Sequence, residues 1–165
     1  MEQLLFGAPV AEQLDEISKN VFQKHSKDNK KPHLTAITVG DNPASLLYVT
    51  RKQEKALDLG VEFNWLKLDT DTSQESLEEV ISKESKATDG LIVQLPLPKH
   101  INENSVIQNI NPEKDVDGFH VINAGKLAIG QKGLVPCTPL GCLLLLQNTI
   151  GDLSGLHAVI VGRSN

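Results

Sequence analysis

The feature that most constrains the fold is a short, densely apolar run at residues 90–95, GLIVQL. A strand of this composition is typically buried on both faces, as in a parallel sheet covered by helices. Strand patterns also occur at residues 34–39 and 61–68, and helical patterns follow them at residues 44–59 and 73–86. The alternation predicts an α/β fold with a parallel-rich, three-layer arrangement, in which helices cover both faces of the sheet.

Composition narrows the class of protein. The chain has 165 residues, 39% of them hydrophobic and 22% charged, which suits one folded domain or one domain plus part of another. Its net charge of -5 argues against general nucleic-acid binding, because such binding requires a basic surface. The first residues lack the pattern of a signal peptide, and no apolar run is long enough to cross a membrane.

Two cysteines, Cys137 and Cys142, are five residues apart and lie in no CxxC motif. Neither a disulfide framework nor a structural metal site is therefore expected. We interpret them as small buried thiols in a reducing compartment. With no signal peptide, this indicates a cytoplasmic protein.

The predicted helix at residues 44–59 carries the first candidate site. Turn residues precede it and Gly60 follows it, as expected at helix ends. Residues three and four apart are neighbours on a helix surface, so Ser45, Tyr48 and Lys52 share one face. A different stripe is mostly apolar and is expected to face the core; its members are Leu46, Val49, Gln53, Ala56 and Leu57.

Lys52 differs from the other charged residues of this helix. Lys55, for example, has Asp58 within one turn, whereas no acidic residue lies three or four positions from Lys52. The absence of a local counter-ion, together with any burial, favours the neutral amine, which can act as a base. The ordinary interpretation is a solvated lysine, and only the adjacent Tyr48, the one tyrosine of the chain, favours a site.

Two further stretches should lie near this helix, because ligands in parallel sheets bind at the carboxyl ends of the strands. Gln94 ends the apolar run and precedes a stiff LPLP segment. It is either a strand-end side chain in contact with water or part of a site. Asp115 and Asp117, in the DVDG segment, would point to opposite sides, so one can cap a turn while the other faces a ligand. From the residues alone, an Asx-type turn is the favoured interpretation.

The last part of the chain changes character. Gly125, Gly130 and Gly133 punctuate a short strand-like piece, and a leucine-rich helix is predicted at residues 140–147. Thr138 is its predicted N-cap, with Pro139 in the first position. A buried strand is then predicted at residues 158–161, followed by GRSN. A strand that ends at a glycine is typical of the start of a dinucleotide-binding domain, so the chain is expected to be a fragment.

Five segments taken together carry a family resemblance: VGDNPASLLYVTRK, DGLIVQLPLPKHI, NPEKDVDGFHVINAGKL, PCTPLGC and VIVGRSN. In this order, over nearly the whole chain, they resemble the bifunctional methylenetetrahydrofolate dehydrogenase and methenyltetrahydrofolate cyclohydrolase family. The resemblance implies NADP-dependent oxidation of 5,10-methylenetetrahydrofolate and hydrolysis of the product to 10-formyltetrahydrofolate.

The resemblance also implies roles for individual residues. Lys52 would be the catalytic lysine, Gln94 would hydrogen-bond and orient it, and Asp117 would hold the pterin edge. Tyr48 would lie against the aminobenzoyl group, and Ser45 would shape the same pocket. The positions that would line the NADP site are Thr138, Gly162, Arg163 and Ser164.

The implied organisation is a folate-binding catalytic domain at residues 1–136. Residues 137–165 would form a linker helix and the first strand of an incomplete, Rossmann-type NAD(P)-binding domain. The full-length protein would be a homodimer that binds folate, NADP and neither nucleic acid nor membrane. Two alternatives are a folate-binding fragment without activity and an unrelated enzyme that forms a Schiff base at Lys52; no phosphate cradle for pyridoxal is visible.

Overall fold

A computed structural model describes residues 4–26 and 31–162. Its described strands are β1 (His33–Val39), β2 (Glu62–Leu68) and β3 (Gly90–Val93). They form one parallel sheet in the order β2-β1-β3, and Ala36 at its centre pairs with Trp65 on one side and Ile92 on the other. All four residues of β3 are buried, as the apolar run predicted. The predicted parallel α/β sheet is confirmed.

Six helices are described, and α2 follows the expected rules most closely. The Asn42 side chain caps it by accepting hydrogen bonds from the backbone N–H groups of Ala44 and Ser45, and Pro43 occupies the first turn. Gly60, with a φ of 80°, follows its end. The helices are α1 (Ala8–Ser26), α2 (Pro43–Asp58), α3 (Gln74–Ala87), α4 (Glu103–Asn109), α5 (Val121–Ala128) and α6 (Cys137–Ile150). No helix in the described part of the chain is long and apolar enough to cross a membrane.

Helices cover both faces of the sheet, so the predicted three-layer arrangement is also confirmed. On one face, Ile37 and Leu91 pack with Leu77 and Ile81 of α3 and with Val106 of α4. On the other face, a smaller cluster contains Ala36, Val49 and Ile92. The alternation of neighbouring strand residues between these two clusters follows from the two-residue period of a β-strand.

The core-facing stripe of α2 differs from the predicted one. It contains Ser45, Val49 and Ala56, all buried, and the partly buried Lys52, whereas Leu57 is 61% exposed. The predicted apolar stripe is confirmed at the buried Val49 and Ala56 and the half-buried Leu46 and Gln53, and it is wrong at Leu57. Polar side chains can turn inward here because the chain beyond β3 offers them hydrogen-bond acceptors, as described below.

Ion pairs join α2 to α1 across the surface. Lys55 donates to Asp15, and Lys19 lies 3.0 Å from Asp58. Lys55 and Asp58 still attract each other within α2, but their ion-pair contacts are made with α1, which the local spacing could not indicate.

The region after the DVDG segment is helical, not strand-like. Helix α5 begins at His120, whose Nδ1 accepts a hydrogen bond from the backbone N–H of Ile122. Gly125 lies within this helix, and Gly130 follows it with a φ of 70°. The glycine spacing was misleading because a histidine cap and tertiary contacts start the helix.

Two further predictions for the last part of the chain are wrong. The leucine-rich helix is present, but α6 begins at Cys137, its N-cap is Pro136, and Thr138 makes no capping hydrogen bond. Residues 158–161 form no strand, and Val161 is 96% exposed. A strand requires a neighbour for its backbone groups, and the described residues provide none beside this segment. The domain division after residue 136 stays a prediction.

Candidate active site

Lys52 meets two side chains that come from distant parts of the chain. Its Nζ donates a hydrogen bond of 3.1 Å to Gln94 Oε1 and lies 3.9 Å from Asp117 Oδ1. The side chains of Lys52 and Asp117 are 34% and 23% exposed, so the group is largely shielded from solvent but still reached by it. The structure therefore brings the three predicted catalytic residues together.

The chain immediately after β3 fixes the orientation of Gln94. Gln94 Nε2 donates to the carbonyl oxygen of Leu95 at 2.9 Å, and its backbone N–H donates to Ile37 at 2.9 Å. The buried Ser45 Oγ donates to the same Leu95 carbonyl at 3.3 Å. With Nε2 engaged in this way, Oε1 is left to accept from Lys52. Ser45 thus joins α2 to the segment that carries Gln94, next to the cis peptide bond between Leu95 and Pro96.

The two aspartates of the DVDG segment have different surroundings. Asp115 is 1% exposed and accepts hydrogen bonds from the backbone of His120 and the side chain of Asn123. Asp117 instead faces Lys52. One carboxylate therefore fixes the local backbone while the other is available to a ligand, which is one of the two arrangements considered from the sequence.

Two glycines allow the DVDG segment to lie close to its neighbours. A Cβ built on Gly90 of β3 would lie only 2.8 Å from Val116 Cγ1, so the bare backbone makes room for Val116. Gly118 has a φ of 72°, and a Cβ there would lie 2.7 Å from the backbone nitrogen of Pro136. The absence of a side chain at Gly118 thus allows the start of α6 to pack against the turn.

Burial raises the pKa of Asp117 above its ordinary value; the Lys52 ammonium lowers it in part, and the negative charge of Asp115 raises it further. Cys137 at the start of α6 belongs to the same electrostatic environment. Its thiol donates to the carbonyl of Val116 at 3.6 Å, and burial, followed by the charge of Asp117, raises its pKa.

Cys137 was missed as a neighbour of the site. Both cysteines are exposed as whole residues, so their interpretation as buried thiols was wrong, although the Cys137 thiol itself is partly shielded where it contacts Val116. The PCTP motif carries no signal for this position, because Cys137 reaches the site only through the packing of Gly118 against Pro136. Within the described residues, no group of three or more His, Cys, Asp or Glu side chains could hold a metal ion.

A cavity of about 540 Å³ adjoins Lys52 on the side away from Gln94. It lies between the second half of α2 and the amino-terminal ends of β1 and β3, and both Lys52 and Val116 line it. Most of its surface is apolar, contributed by Phe22, Pro32, Leu34, Ala56, Leu59, Val61 and Val116. The group formed by Lys52, Gln94 and Asp117 lies near the carboxyl end of β3, where ligand sites of parallel sheets are expected. The cavity instead extends toward the opposite end of the sheet. Tyr48, one turn before Lys52, is 53% exposed and leaves a ring face available.

The predicted cofactor residues do not form a nucleotide site among the described residues. Thr138 is exposed in the first turn of α6. Gly162 is also exposed, and a Cβ built on it would meet no atom within 4 Å, so nothing forms a close-fitting cradle there. Arg163 and Ser164 lie outside the described residues. The described residues therefore do not by themselves fit a bound dinucleotide.

The parallel sheet and the helices on both of its faces define an α/β domain, in which Lys52, Gln94 and Asp117 form a polar cluster. The sequence model of the tetrahydrofolate dehydrogenase/cyclohydrolase catalytic domain matches residues 5–117. This match covers more than half of the chain. The chain belongs to the tetrahydrofolate dehydrogenase/cyclohydrolase family.

Individual relatives agree with this assignment. The bifunctional protein FolD of Erythrobacter litoralis is 52% identical over 138 residues, which are 82% of this chain and 46% of that protein. A crystal structure of the bifunctional FolD methylenetetrahydrofolate dehydrogenase/cyclohydrolase from Campylobacter jejuni has a TM-score of 0.94 and 38% identity, and the match covers 98% of this chain and 58% of that one.

A third similar structure is the Trypanosoma brucei methylenetetrahydrofolate dehydrogenase-cyclohydrolase, which is complexed with NADP and an inhibitor. Its TM-score is 0.84 at 29% identity, and the match covers 90% of this chain and 52% of that one. The chain spans about half the length of the curated relatives it matches.

Proposed function

We propose that this chain carries the folate site of a bifunctional enzyme. The enzyme oxidises 5,10-methylenetetrahydrofolate with NADP and hydrolyses the resulting 5,10-methenyltetrahydrofolate to 10-formyltetrahydrofolate. The observation that carries the proposal is the meeting of Lys52 with Gln94 and Asp117 in a chain of this family.

Asp117 is proposed to bind the heterocycle of the folate. An ionised carboxylate has two oxygens that accept hydrogen bonds, which suits the adjacent amide and amino donors of a pterin edge. The preceding residue, Val116, offers an apolar side chain next to Asp117, although the cavity that Val116 lines with Lys52 does not include Asp117. The half-exposed Tyr48 ring is available to the aminobenzoyl group.

Lys52 is proposed to be the general base of the hydrolysis. Its amine takes one proton from a water molecule while the water oxygen attacks the methenyl carbon, which gives a neutral hydroxyl adduct. The bond from this carbon to N5 then breaks as N5 gains a proton and the hydroxyl loses its own, so the formyl group stays on N10 and one proton is released overall. The positive charge of the methenyl group disfavours a second cation beside it, which favours the neutral amine. General-base catalysis of this kind typically contributes about 10²–10⁴-fold.

Gln94 is proposed to orient that base. Because its Oε1 accepts an N–H of Lys52 and its Nε2 is held by Leu95, one amine hydrogen has a fixed direction. The lone pair of the neutral amine must then point elsewhere, and the open side of the site is where a water molecule can enter. Positioning, not acid–base strength, is the contribution of Gln94.

The dehydrogenase half of the activity depends on NADP. The cofactor supplies the hydride acceptor when bound, and the predicted residues for it are Thr138, Gly162, Arg163 and Ser164. This chain contributes the folate-binding side, in which Asp117 and Tyr48 hold the substrate. Since the described residues form no nucleotide cradle, we expect folate binding by this chain without NADP reduction.

Calorimetric titration of the chain with folic acid tests the proposal. Wild type and the control Asp71→Asn, which removes an exposed carboxylate between β2 and α3, are expected to bind equally. Asp117→Ala is expected to weaken binding about tenfold or more, as for the loss of hydrogen bonds to a charged group. Equal binding by wild type and Asp117→Ala would contradict the assignment of this site.

We also propose a cytoplasmic homodimer for the full-length protein. Family membership supports the folate and NADP assignments, and two free, exposed cysteines suit a reducing compartment. Light scattering after size exclusion tests the oligomeric state; a monomer at micromolar concentration would contradict the dimer.

A further inference from the structure

Asp115 lies beside the proposed site but has no part in the chemistry proposed above. Its Oδ2 accepts hydrogen bonds of 2.8 Å from the His120 backbone and 2.9 Å from Asn123 Nδ2. A buried carboxylate is costly unless donors satisfy it, and these two donors explain why the charge is tolerated at 1% exposure. Such an arrangement holds the backbone of its segment firmly.

Backbone and side-chain contacts tie the segment around Asp115 to both β3 and α5. Its backbone lies beside Leu91 in a parallel bridge, and Leu91 N donates to Lys114 at 2.8 Å. Asn123 Nδ2 also donates to the Pro112 carbonyl at 2.8 Å, which ties α5 to the start of the segment. Since Asp117 is only two residues further along, its backbone inherits this placement.

The turn itself closes around Asp117. The backbone N–H of Gly118 donates to the Asp115 carbonyl at 3.1 Å, so the residue after Asp117 is bonded to the residue two before it. Asp117 therefore sits inside a turn anchored by Asp115 and directed toward Lys52. Any loosening of Asp115 moves the Asp117 carboxylate.

Neighbouring ionisable groups also affect the pKa of Asp117. The ionisable groups that face Asp117 are Lys52 from α2, Asp115 from its own segment and Cys137 from α6. Burial has the largest effect on the pKa of Asp117 and raises it. Lys52 has the next largest effect and lowers it, and Asp115 raises it by a smaller amount. The Cys137 thiol has its pKa raised from an already alkaline value, so it does not titrate in the acidic range.

We propose that Asp115 is a positioning residue: it holds Asp117 toward Lys52 and the folate ring, and its negative charge makes a smaller contribution to the acidic limit of folate binding. The inference rests on the proposed role of Asp117. Asp115 would thus act on Asp117 in two ways. The mechanical effect comes from the hydrogen bonds that hold the DVDG segment, and the electrostatic effect comes from the negative charge of Asp115.

The variant Asp115→Asn separates the two effects. Both donors bind a single oxygen of Asp115, so the amide oxygen of asparagine can accept both hydrogen bonds while the charge is removed. Because that charge raises the pKa of Asp117, its removal lowers it, and Asp117 stays ionised to lower pH. Because the asparagine oxygen keeps both hydrogen bonds, we expect folic acid binding close to that of wild type at neutral pH. The acid limb, meaning the loss of binding as the pH falls, should be displaced to lower pH.

The variant Asn123→Ala tests the mechanical effect alone. It removes one donor and leaves the Asp115 charge in place. Because the bonds of Asn123 to both Asp115 and Pro112 are lost, the segment that carries Asp117 is held less firmly. We therefore expect neutral-pH affinity to fall by more than in Asp115→Asn, without a displacement of the acid limb to lower pH. Asp71→Asn is the matched control for removal of a carboxylate and should leave both affinity and acid limb unchanged.

Calorimetry over a pH series, together with the carboxyl carbon resonance of Asp117 followed by NMR, decides the outcome. The inference would be overturned if the Asp117 carboxyl titrated at the same pH in Asp115→Asn as in wild type. It would also be overturned if Asn123→Ala bound folic acid with wild-type affinity. If Asp117→Ala binds folic acid as wild type does, the proposed function itself fails. The NMR titration needs no ligand, so the two failures are distinguishable.

Discussion

Lys52 Nζ and Gln94 Oε1 lie 3.1 Å apart, although one residue is on α2 and the other follows β3. The contact depends on the Leu95 carbonyl, which accepts from Gln94 Nε2 and from Ser45 Oγ. A single backbone oxygen thus joins the helix that carries the lysine to the segment that orients it. The proposed catalytic geometry is built from these bonds.

Replacement of Gln94 by Ala should impair hydrolysis more than binding. The Lys52 amine would lose the acceptor that fixes its direction, and misplacement of a catalytic group by about 1 Å can cost roughly 10²-fold in rate. Steady-state hydrolysis of 5,10-methenyltetrahydrofolate by the full-length protein measures this. The control Gln147→Ala, at an exposed position of α6, should behave as wild type. An unchanged kcat in Gln94→Ala would remove the orienting role.

Gly118→Ala should destabilise the fold more than Gly130→Ala. Both glycines have a φ near 70°, a conformation that costs an L-residue roughly 1–2 kcal/mol. Only at Gly118 would the new Cβ also meet backbone atoms, at 2.7 Å and 2.9 Å, whereas at Gly130 it meets nothing within 4 Å. Urea denaturation gives both free energies of unfolding, and equal losses would show that the packing of Gly118 against residues 135–136 contributes nothing.

Asp117→Asn should stabilise the chain at neutral pH. Because the pKa of Asp117 is raised in the folded state, that state binds its proton more tightly than the unfolded chain does. The stability from the protonated form is complete below the unfolded pKa and is lost as the pH rises through the folded pKa. The variant avoids this loss, so its Tm should exceed that of wild type at neutral pH.

The increase in the Tm of Asp117→Asn over that of wild type should become smaller at acidic pH, because Asp117 of the wild type is itself protonated there. Thermal unfolding over a pH series, with Asp71→Asn as the control, measures the difference. A lower Tm for Asp117→Asn at neutral pH would mean that the Lys52–Asp117 contact outweighs the cost of burial.

Local patterns were sufficient for the elements around the sheet. The cap of Asn42 and the glycine that follows α2 are short-range signals, and the apolar run of β3 indicated burial on both faces. These features depend on a few consecutive residues. The parallel sheet covered by helices on both faces was expected from the alternation of strands and helices, whereas the strand order β2-β1-β3 was not predicted.

Tertiary contacts decided what the sequence left open. Lys52 has no counter-ion within its helix, but folding places Asp117 at 3.9 Å, so the local argument about its charge was incomplete. Helix α5 starts from a histidine cap whose backbone is held by Asp115, a contact that no spacing reveals. The inward-facing Ser45 likewise depends on the Leu95 carbonyl, which comes from a segment far along the chain.

At residues 158–161, the sequence predicted a strand that the structure does not contain. Its composition is that of a buried strand, but composition does not supply a neighbouring strand, and Ile160 is 90% exposed. A strand forms only where backbone groups of another strand are available.

The role of Lys52 is tested most directly by the hydrolysis of 5,10-methenyltetrahydrofolate by the full-length Lys52→Met protein, with folic acid binding measured in parallel. We predict a fall in kcat of at least about 10²-fold, the typical contribution of a general base, with folic acid still bound. The control Lys86→Met, at an exposed position of α3 on the opposite face of the sheet, should hydrolyse as wild type does. Hydrolysis at the wild-type rate by Lys52→Met would contradict the central claim that Lys52 is the base.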